Sequence, residues 1–240
     1  MKTVAIIGFG TMGRAIAKTL DDSYKIIELD RGDDLSRING ADFVILAVKP
    51  QAFSELSEAI RPFLDQQLVI SIMAGIQCRR IREGLGIRSL VRTMPNLGVA
   101  TGSSVTGAYV FGEADKAVVA DLLEHWGRTI WLEKESDFDG FTAVAGCGPA
   151  YFFELTYQLQ NASEKLGFKK ELARQIANAT LASAASALAN ESAAEKVAQV
   201  ASKGGATEAA LKVLDEHQYG QIIDQAVQAA RIRSQELSDG

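Results

Sequence analysis

The stretch TVAIIGFGTMGRAIAK, residues 3–18, narrows what this chain can fold into more than any other. An apolar run with strand character reaches Gly8. Gly8, Gly10 and Gly13 then fall in the order G-x-G-x-x-G at the head of a helical stretch over 11–20. That order suits a βα unit that grips a dinucleotide. Gly8 permits the tight turn, Gly10 lets backbone approach a pyrophosphate, and Gly13 lets the helix pack closely on the strand. The first helical turn, from Thr11 and Met12 onward, offers N–H groups to the phosphates. A glycine turn with no ligand is the alternative reading, and the strand and helix flanks weigh against it.

The surrounding sequence keeps the same alternation. Strands are predicted over 3–8, 24–30, 42–49, 68–75 and 89–95, with helices over 11–20 and 51–64 and a short one after Gly75. The strand runs are nearly continuous in apolar residues, as parallel strands covered on both faces require. A last pair, 103–110 and 129–133, brackets a helix over 113–127. From about Ser136 the signals become helical, over 150–167, 169–190 and 219–237, and the alanine-rich 171–190 suits a helix that neighbours approach closely. The expected architecture is α/β: a Rossmann-type, doubly wound, mostly parallel sheet over 1–134, followed by an all-helical domain over 135–240.

The end of the second strand bears on the dinucleotide. Asp30 occupies the place where a carboxylate takes ribose hydroxyls and repels a 2′-phosphate, which favours NADH. Arg31 beside it favours NADPH, because a guanidinium pairs with that phosphate. A solvated DRGDD turn is the plain alternative. Only residues 31–41 separate Asp30 from the next strand, too few for the usual helix and third strand. The adenine side of the fold is therefore expected to be abbreviated.

Composition removes other classes. A net charge of −5 argues against nucleic-acid and anionic-membrane partners. Cys78 and Cys147 form no CxxC or Cys/His spacing, so no metal site is expected and free thiols in a reducing cytoplasm are. No apolar run approaches the ~20 residues of a membrane span. His125 and His217 lie in charged or polar stretches that suit solvated or capping roles.

Six phrases then agree in order: GFGTMG (8–13), LAVKPQ (46–51), SIMAGI (71–76), MPN (94–96), GCGPAY (146–151) and GGATEAALKVLD (204–215). Together they resemble the pyrroline-5-carboxylate reductase family, from Val4 to about Leu237. The resemblance implies reduction of 1-pyrroline-5-carboxylate to L-proline by NADPH or NADH in the cytoplasm. It implies a homodimer through the helical domain, often within larger rings. It assigns Gly8, Phe9, Gly10, Thr11, Met12 and Gly13 to the pyrophosphate, and Ala47, Val48, Lys49 and Pro50 to the nicotinamide ribose. Ala74 and Asn96 would flank the nicotinamide. Glu135, Gly204, Gly205, Ala206 and Thr207 would meet the substrate. The chain departs from the family's pattern at Lys203, where proline is usual, at Ala145 and Cys147, where serines are common, and after MPN.

The chemistry explains why a helix would open on a glycine pair. Bare N–H groups at a helix N-terminus bind a carboxylate without an arginine. The Thr207 hydroxyl would hydrogen-bond the imine or nascent amine nitrogen. The alternative is a helix-breaking glycine turn with Thr207 as an N-cap. A β-hydroxyacid dehydrogenase would carry a lysine on the helix after Gly148, whereas PAYFFELTYQLQN has none. A related cyclic imine carboxylate as substrate, or a catalytically retired cofactor-binding protein, are the remaining alternatives.

Overall fold

The computed structural model describes residues 1–20, 23–188 and 191–239. It divides into two compact units, Met1–Cys147 with Ala229–Gly240, and Gly148–Gln228. The sheet unit thus takes in the linking residues 135–147 and the C-terminal turns as well as residues 1–134.

Seven strands form that unit: β1 (Lys2–Ile7), β2 (Tyr24–Leu29), β3 (Phe43–Leu46), β4 (Leu68–Ser71), β5 (Leu90–Met94), β6 (Ser104–Phe111) and β7 (Gly127–Trp131). They lie in the order β2-β1-β3-β4-β5-β6-β7. The first five are parallel, β6 runs antiparallel to β5, and β7 runs parallel to β6. Each predicted strand is present. Alternate residues serve opposite faces, as the pleat demands. Ala5, Ile7, Val44 and Leu46 meet one core, while Val4, Ile6, Phe43 and Ile45 meet the other.

Helices α1 (Thr11–Thr19), α2 (Phe53–Ile60), α3 (Cys78–Leu85) and α4 (Lys116–Glu124) cover the faces. Ile16 of α1 and Val119, Leu122 and Leu123 of α4 fill one core with Trp126. Phe53 and Ile60 of α2 and Ile81 and Leu85 of α3 fill the other. The predicted 51–64 helix shortens to α2 because Pro50 and Pro62 each sit in a tight 3-10 turn at its ends. Between β2 and β3 there is only a 3-10 turn, Leu35–Ile38, whose Ile38 is fully buried in the core. Among the described residues no third strand lies outside β2, so the abbreviated adenine side expected from 31–41 is what the fold has.

After β7 come a 3-10 turn at Glu135–Asp137, a short α5 (Phe138–Phe141) and a wide turn over Thr142–Gly146, in which the Cys147 amide donates to the Thr142 carbonyl at 2.8 Å. Phe141 lies so close to β6 that a Cβ on Gly107 would come within 2.8 Å of its ring.

The second unit contains α6 (Gly148–Lys165), α7 (Lys170–Leu188), α8 (Ala193–Val200), α9 (Ala206–Glu216) and the start of α10 (Tyr219–Asp239). The last two residues of the predicted 169–190 helix, and residue 240 of the predicted helical domain, lie outside the described residues. α8 has no counterpart among the predicted helices. α6 and α7 pack as a hairpin turning at Gly167, with Ala173 and Ala177 buried between them. Large apolar side chains are otherwise on the outside: Phe152, Phe153, Leu155, Tyr157 and Leu159 of α6 are all exposed. Among the described residues, no helix is long and apolar enough to cross a membrane.

Candidate active site

Four of the predicted motifs emerge from one edge of the sheet. β1, β3, β4 and β5 are consecutive parallel neighbours, paired Ile7 to Leu46, Leu46 to Ser71 and Ser71 to Arg92. Their C-terminal ends therefore release Gly8–Gly13, Ala47–Pro50, Ile72–Gln77 and Pro95–Asn96 side by side. β2 and β3 flank β1 on opposite sides, so the chain reverses its winding beside the glycine loop. Such a switch point opens the crevice in which α/β sheets bind ligands.

The glycine loop is built tightly. Gly8 has φ +95°, and a Cβ there would lie 2.7 Å from the Ala47 carbonyl. A Cβ on Gly13 would come within 2.4 Å of the Gly8 carbonyl. Gly10 is different, because nothing lies within 4 Å of the place its Cβ would take. It is the N-cap of α1, with no side chain capping the helix. Free N–H groups thus face open space at the positive end of a helix, which fits a pyrophosphate. Phe9 and Met12 pack against the core beneath, Arg14 lies over the Phe9 ring at 5.9 Å, and Thr11 is exposed.

The other predicted residues fall as follows. Ala47 donates to the Ile7 carbonyl, Val48 is half-buried, Lys49 is exposed, and Pro50 opens the next 3-10 turn. Ala74 is exposed in the β4–α3 loop. Asn96 is buried and bonded at both ends, its Oδ1 accepting from the Gly98 amide at 3.0 Å and its Nδ2 donating to the Ala145 carbonyl at 2.9 Å. Asp30 and Arg31 are exposed beyond β2, where the Asp30 Oδ1 accepts the Arg31 amide and the Asp30 amide donates to Asp33. Arg31 makes no ion pair among the described residues.

Glu135 is placed by an ion pair. Its Oε1 accepts from the Cys78 amide at 2.6 Å and from Arg92 Nη1 at 2.8 Å. Arg92 projects from β5, is 6% exposed, and carries its guanidinium 4.4 Å from the Phe138 ring centre. The sequence reading passed over Arg92. An arginine inside the apolar run LVRTM was the signal, because a buried cation needs a carboxylate partner. Removing one partner of such a pair costs about 3–5 kcal/mol.

Cys78 is the first residue of α3 and is fully buried. Burial first, and the Glu135 carboxylate second, push its thiol well above its ordinary 9.0. The folded state therefore holds this proton more tightly than the unfolded one. Its contribution to stability is complete below pH 9 and falls as pH rises further. Cys78 is expected to resist iodoacetamide at pH 8 in the native protein and to react once the chain is unfolded, read by mass spectrometry.

In the helical unit, Gly205 is the N-cap of α9, followed by Ala206 and Thr207, both exposed. Thr207 is thus the second helical residue and not the cap. The Gly204 amide donates to Glu208 at 2.6 Å, and no side chain caps Gly205. The amides of Ala206 and Thr207 belong to the turn that lacks intrahelical partners. His125 stacks edge-on against Tyr24, which opens β2 and so lies at the sheet edge opposite the glycine loop.

Comparison with known proteins fixes what this arrangement belongs to. Residues 135–237 match the family described as pyrroline-5-carboxylate reductase dimerisation, and 27–75 match NADP oxidoreductase coenzyme F420-dependent. A pyrroline-5-carboxylate reductase of Vibrio alginolyticus is 34% identical over 265 aligned residues, covering 98% of this chain and 97% of that one. The chain belongs to the pyrroline-5-carboxylate reductase family. A relative of that name from Pseudomonas aeruginosa is 39% identical over 83% of this chain and 76% of its own. The solved pyrroline-5-carboxylate reductase of Coxiella burnetii superposes with a TM-score of 0.89 at 31% identity, covering 98% of both chains. The Vibrio alignment is longer than the 240 residues here, so this family member runs opposite gaps.

Proposed function

We propose that this chain reduces the C=N bond of 1-pyrroline-5-carboxylate to give L-proline, with NADPH or NADH as reductant. The observation that carries the reading is the convergence of four motif loops at the switch point of the sheet, in a chain of this family. The bound cofactor supplies the hydride. Gly8–Gly13 and the α1 N-terminus hold its pyrophosphate, Ala47–Pro50 the nicotinamide ribose, and Ala74 a face of the nicotinamide. Asn96, bonded at both ends, keeps the neighbouring loop in shape.

The Gly204–Gly205 turn presents the amides of Ala206 and Thr207 to the substrate carboxylate, since the Gly204 and Gly205 amides are taken by Glu208 and Ser202, and the Thr207 hydroxyl hydrogen-bonds the ring nitrogen. No strong acid is needed, since the imine can bind already protonated. Orientation and charge placement supply the rate.

The helical unit supports a homodimer, and we extend this to a larger ring, within which dimers of the family often sit. Its exposed apolar side chains cannot form a core alone, and a second copy covers them. Stability should then grow with protein concentration, by roughly 2.7 kcal/mol per hundredfold, read as a rise in Tm. The two cysteines suit a reducing cytoplasm.

The test is steady-state oxidation of NADH and NADPH with 1-pyrroline-5-carboxylate as acceptor. Turnover is expected, and its ratio between the two cofactors assigns Asp30 and Arg31. No turnover by a folded dimer would overturn the reading.

A further inference from the structure

The β4–α3 loop is gripped at its middle and at its C-terminal end by residues far away in sequence. At its C-terminal end, Glu135 accepts the Cys78 amide, and Arg92 holds the same carboxylate oxygen. Near its middle, Gly75 has φ +75°, and a Cβ on it would meet the Leu237 carbonyl at 2.6 Å. The last turns of α10 therefore lie directly on the loop's backbone. The two grips are joined. Phe138 packs under Arg92, and the next residue, Asp139, accepts from Ser234 Oγ at 2.7 Å, one turn before Leu237.

We propose that this ring of contacts sets the shape of residues 72–77, making Glu135 and the Leu237 end of α10 positioning residues for the nicotinamide half of the cofactor. The inference rests on the reading above that Ala74 lies against the nicotinamide. Ala74 is itself exposed and immediately precedes Gly75, so its position follows that of the gripped stretch 75–78. A free loop would sample positions an ångström or more away, enough to lower hydride transfer by orders of magnitude. Glu135 acts here through the loop and not by touching substrate.

The test uses the full chain with Glu135→Ala, Glu135→Gln, Gly75→Ala, a chain ending at Glu236, and Gly75→Ala in that shortened chain. Loss of either grip should raise the dinucleotide KM about tenfold and lower kcat, with little change in the imine KM. Glu135→Gln keeps an acceptor for the Cys78 amide and should recover part of what Glu135→Ala loses. Gly75→Ala should harm the intact chain more than the shortened one, where the Leu237 carbonyl is gone. Hydrogen exchange at residues 74–78 should quicken in Glu135→Ala and in the shortened chain.

A lower Tm with unchanged kinetic constants in the folded variants would make the contacts merely structural and overturn the proposal. A change confined to the imine KM in Glu135→Ala would also overturn it, by making Glu135 a substrate ligand. Were the wild type inactive, the functional reading would fail. Exchange would still decide whether the grips hold the loop: faster exchange sustains them, and unchanged exchange removes them.

Discussion

Gly10→Asp should leave the protein folded, and slightly more stable, while its dinucleotide affinity falls by a hundredfold or more. The two effects have opposite signs because they arise from the same helix end. Gly10 caps α1 with φ −77° and ψ −159°, a conformation open to any residue, and it makes no side-chain cap. Aspartate is a better N-cap than glycine, by a few tenths of a kcal/mol. Its side chain has room, since nothing lies within 4 Å of the Cβ position. On the proposed reading that room takes the pyrophosphate, and a carboxylate there would both fill it and repel the phosphates. A hundredfold loss corresponds to about 2.7 kcal/mol. Titration of cofactor fluorescence together with a thermal melt reads both quantities. Unchanged affinity in a folded Gly10→Asp protein would remove the phosphates from this loop.

Thr207→Ala is the second large effect, expected in kcat. Thr207 is exposed at the second position of α9, so the change removes no buried contact, and alanine favours the helix. Tm should hold or rise slightly. Turnover should fall about a hundredfold, the scale for losing one donor aimed at a reacting atom. Thr207→Ser keeps the hydroxyl and should stay within about tenfold of wild type. Wild-type kinetics in Thr207→Ala would take the hydroxyl out of the reaction, leaving only backbone amides of this helix end in the proposed substrate site.

The parts of this molecule that could be read from sequence are those set by local pattern. Val4–Ile7, Phe43–Leu46 and Leu68–Ile70 are apolar without a break because both faces of the sheet are covered, and such runs announce parallel strands. The glycine loop was legible because Gly8 and Gly13 each answer a separate steric demand, while Gly10 leaves the helix end open. The missing outer strand was legible because chain length is a hard limit on what can lie between Asp30 and Asp42. α8 escaped although SAAE, with Ser192 at the N-cap and Glu195 three residues on, is a helix-start signature. The Arg92–Glu135 pair escaped for another reason. Its members are 43 residues apart, and only the packing of the linking turn against β5 brings them together. Leu237 on Gly75 is the same kind of fact, a backbone contact with no side-chain signature at all.

Stopping the sheet at β2 also leaves a rim. An edge strand presents unpaired amides and carbonyls to which a strand of another molecule can add, which is how many proteins begin to aggregate. β2 reads YKIIEL, and without its charges that sequence would be a template of this kind. Lys25 and Glu28 are exposed on it, and Arg37 from the short connection donates to the outward Glu28 carbonyl at 3.3 Å. The segment that replaced a helix and a strand thus also serves as a guard. By occupying one of the rim's acceptors with a cation, it removes a place at which a strand of another molecule could pair.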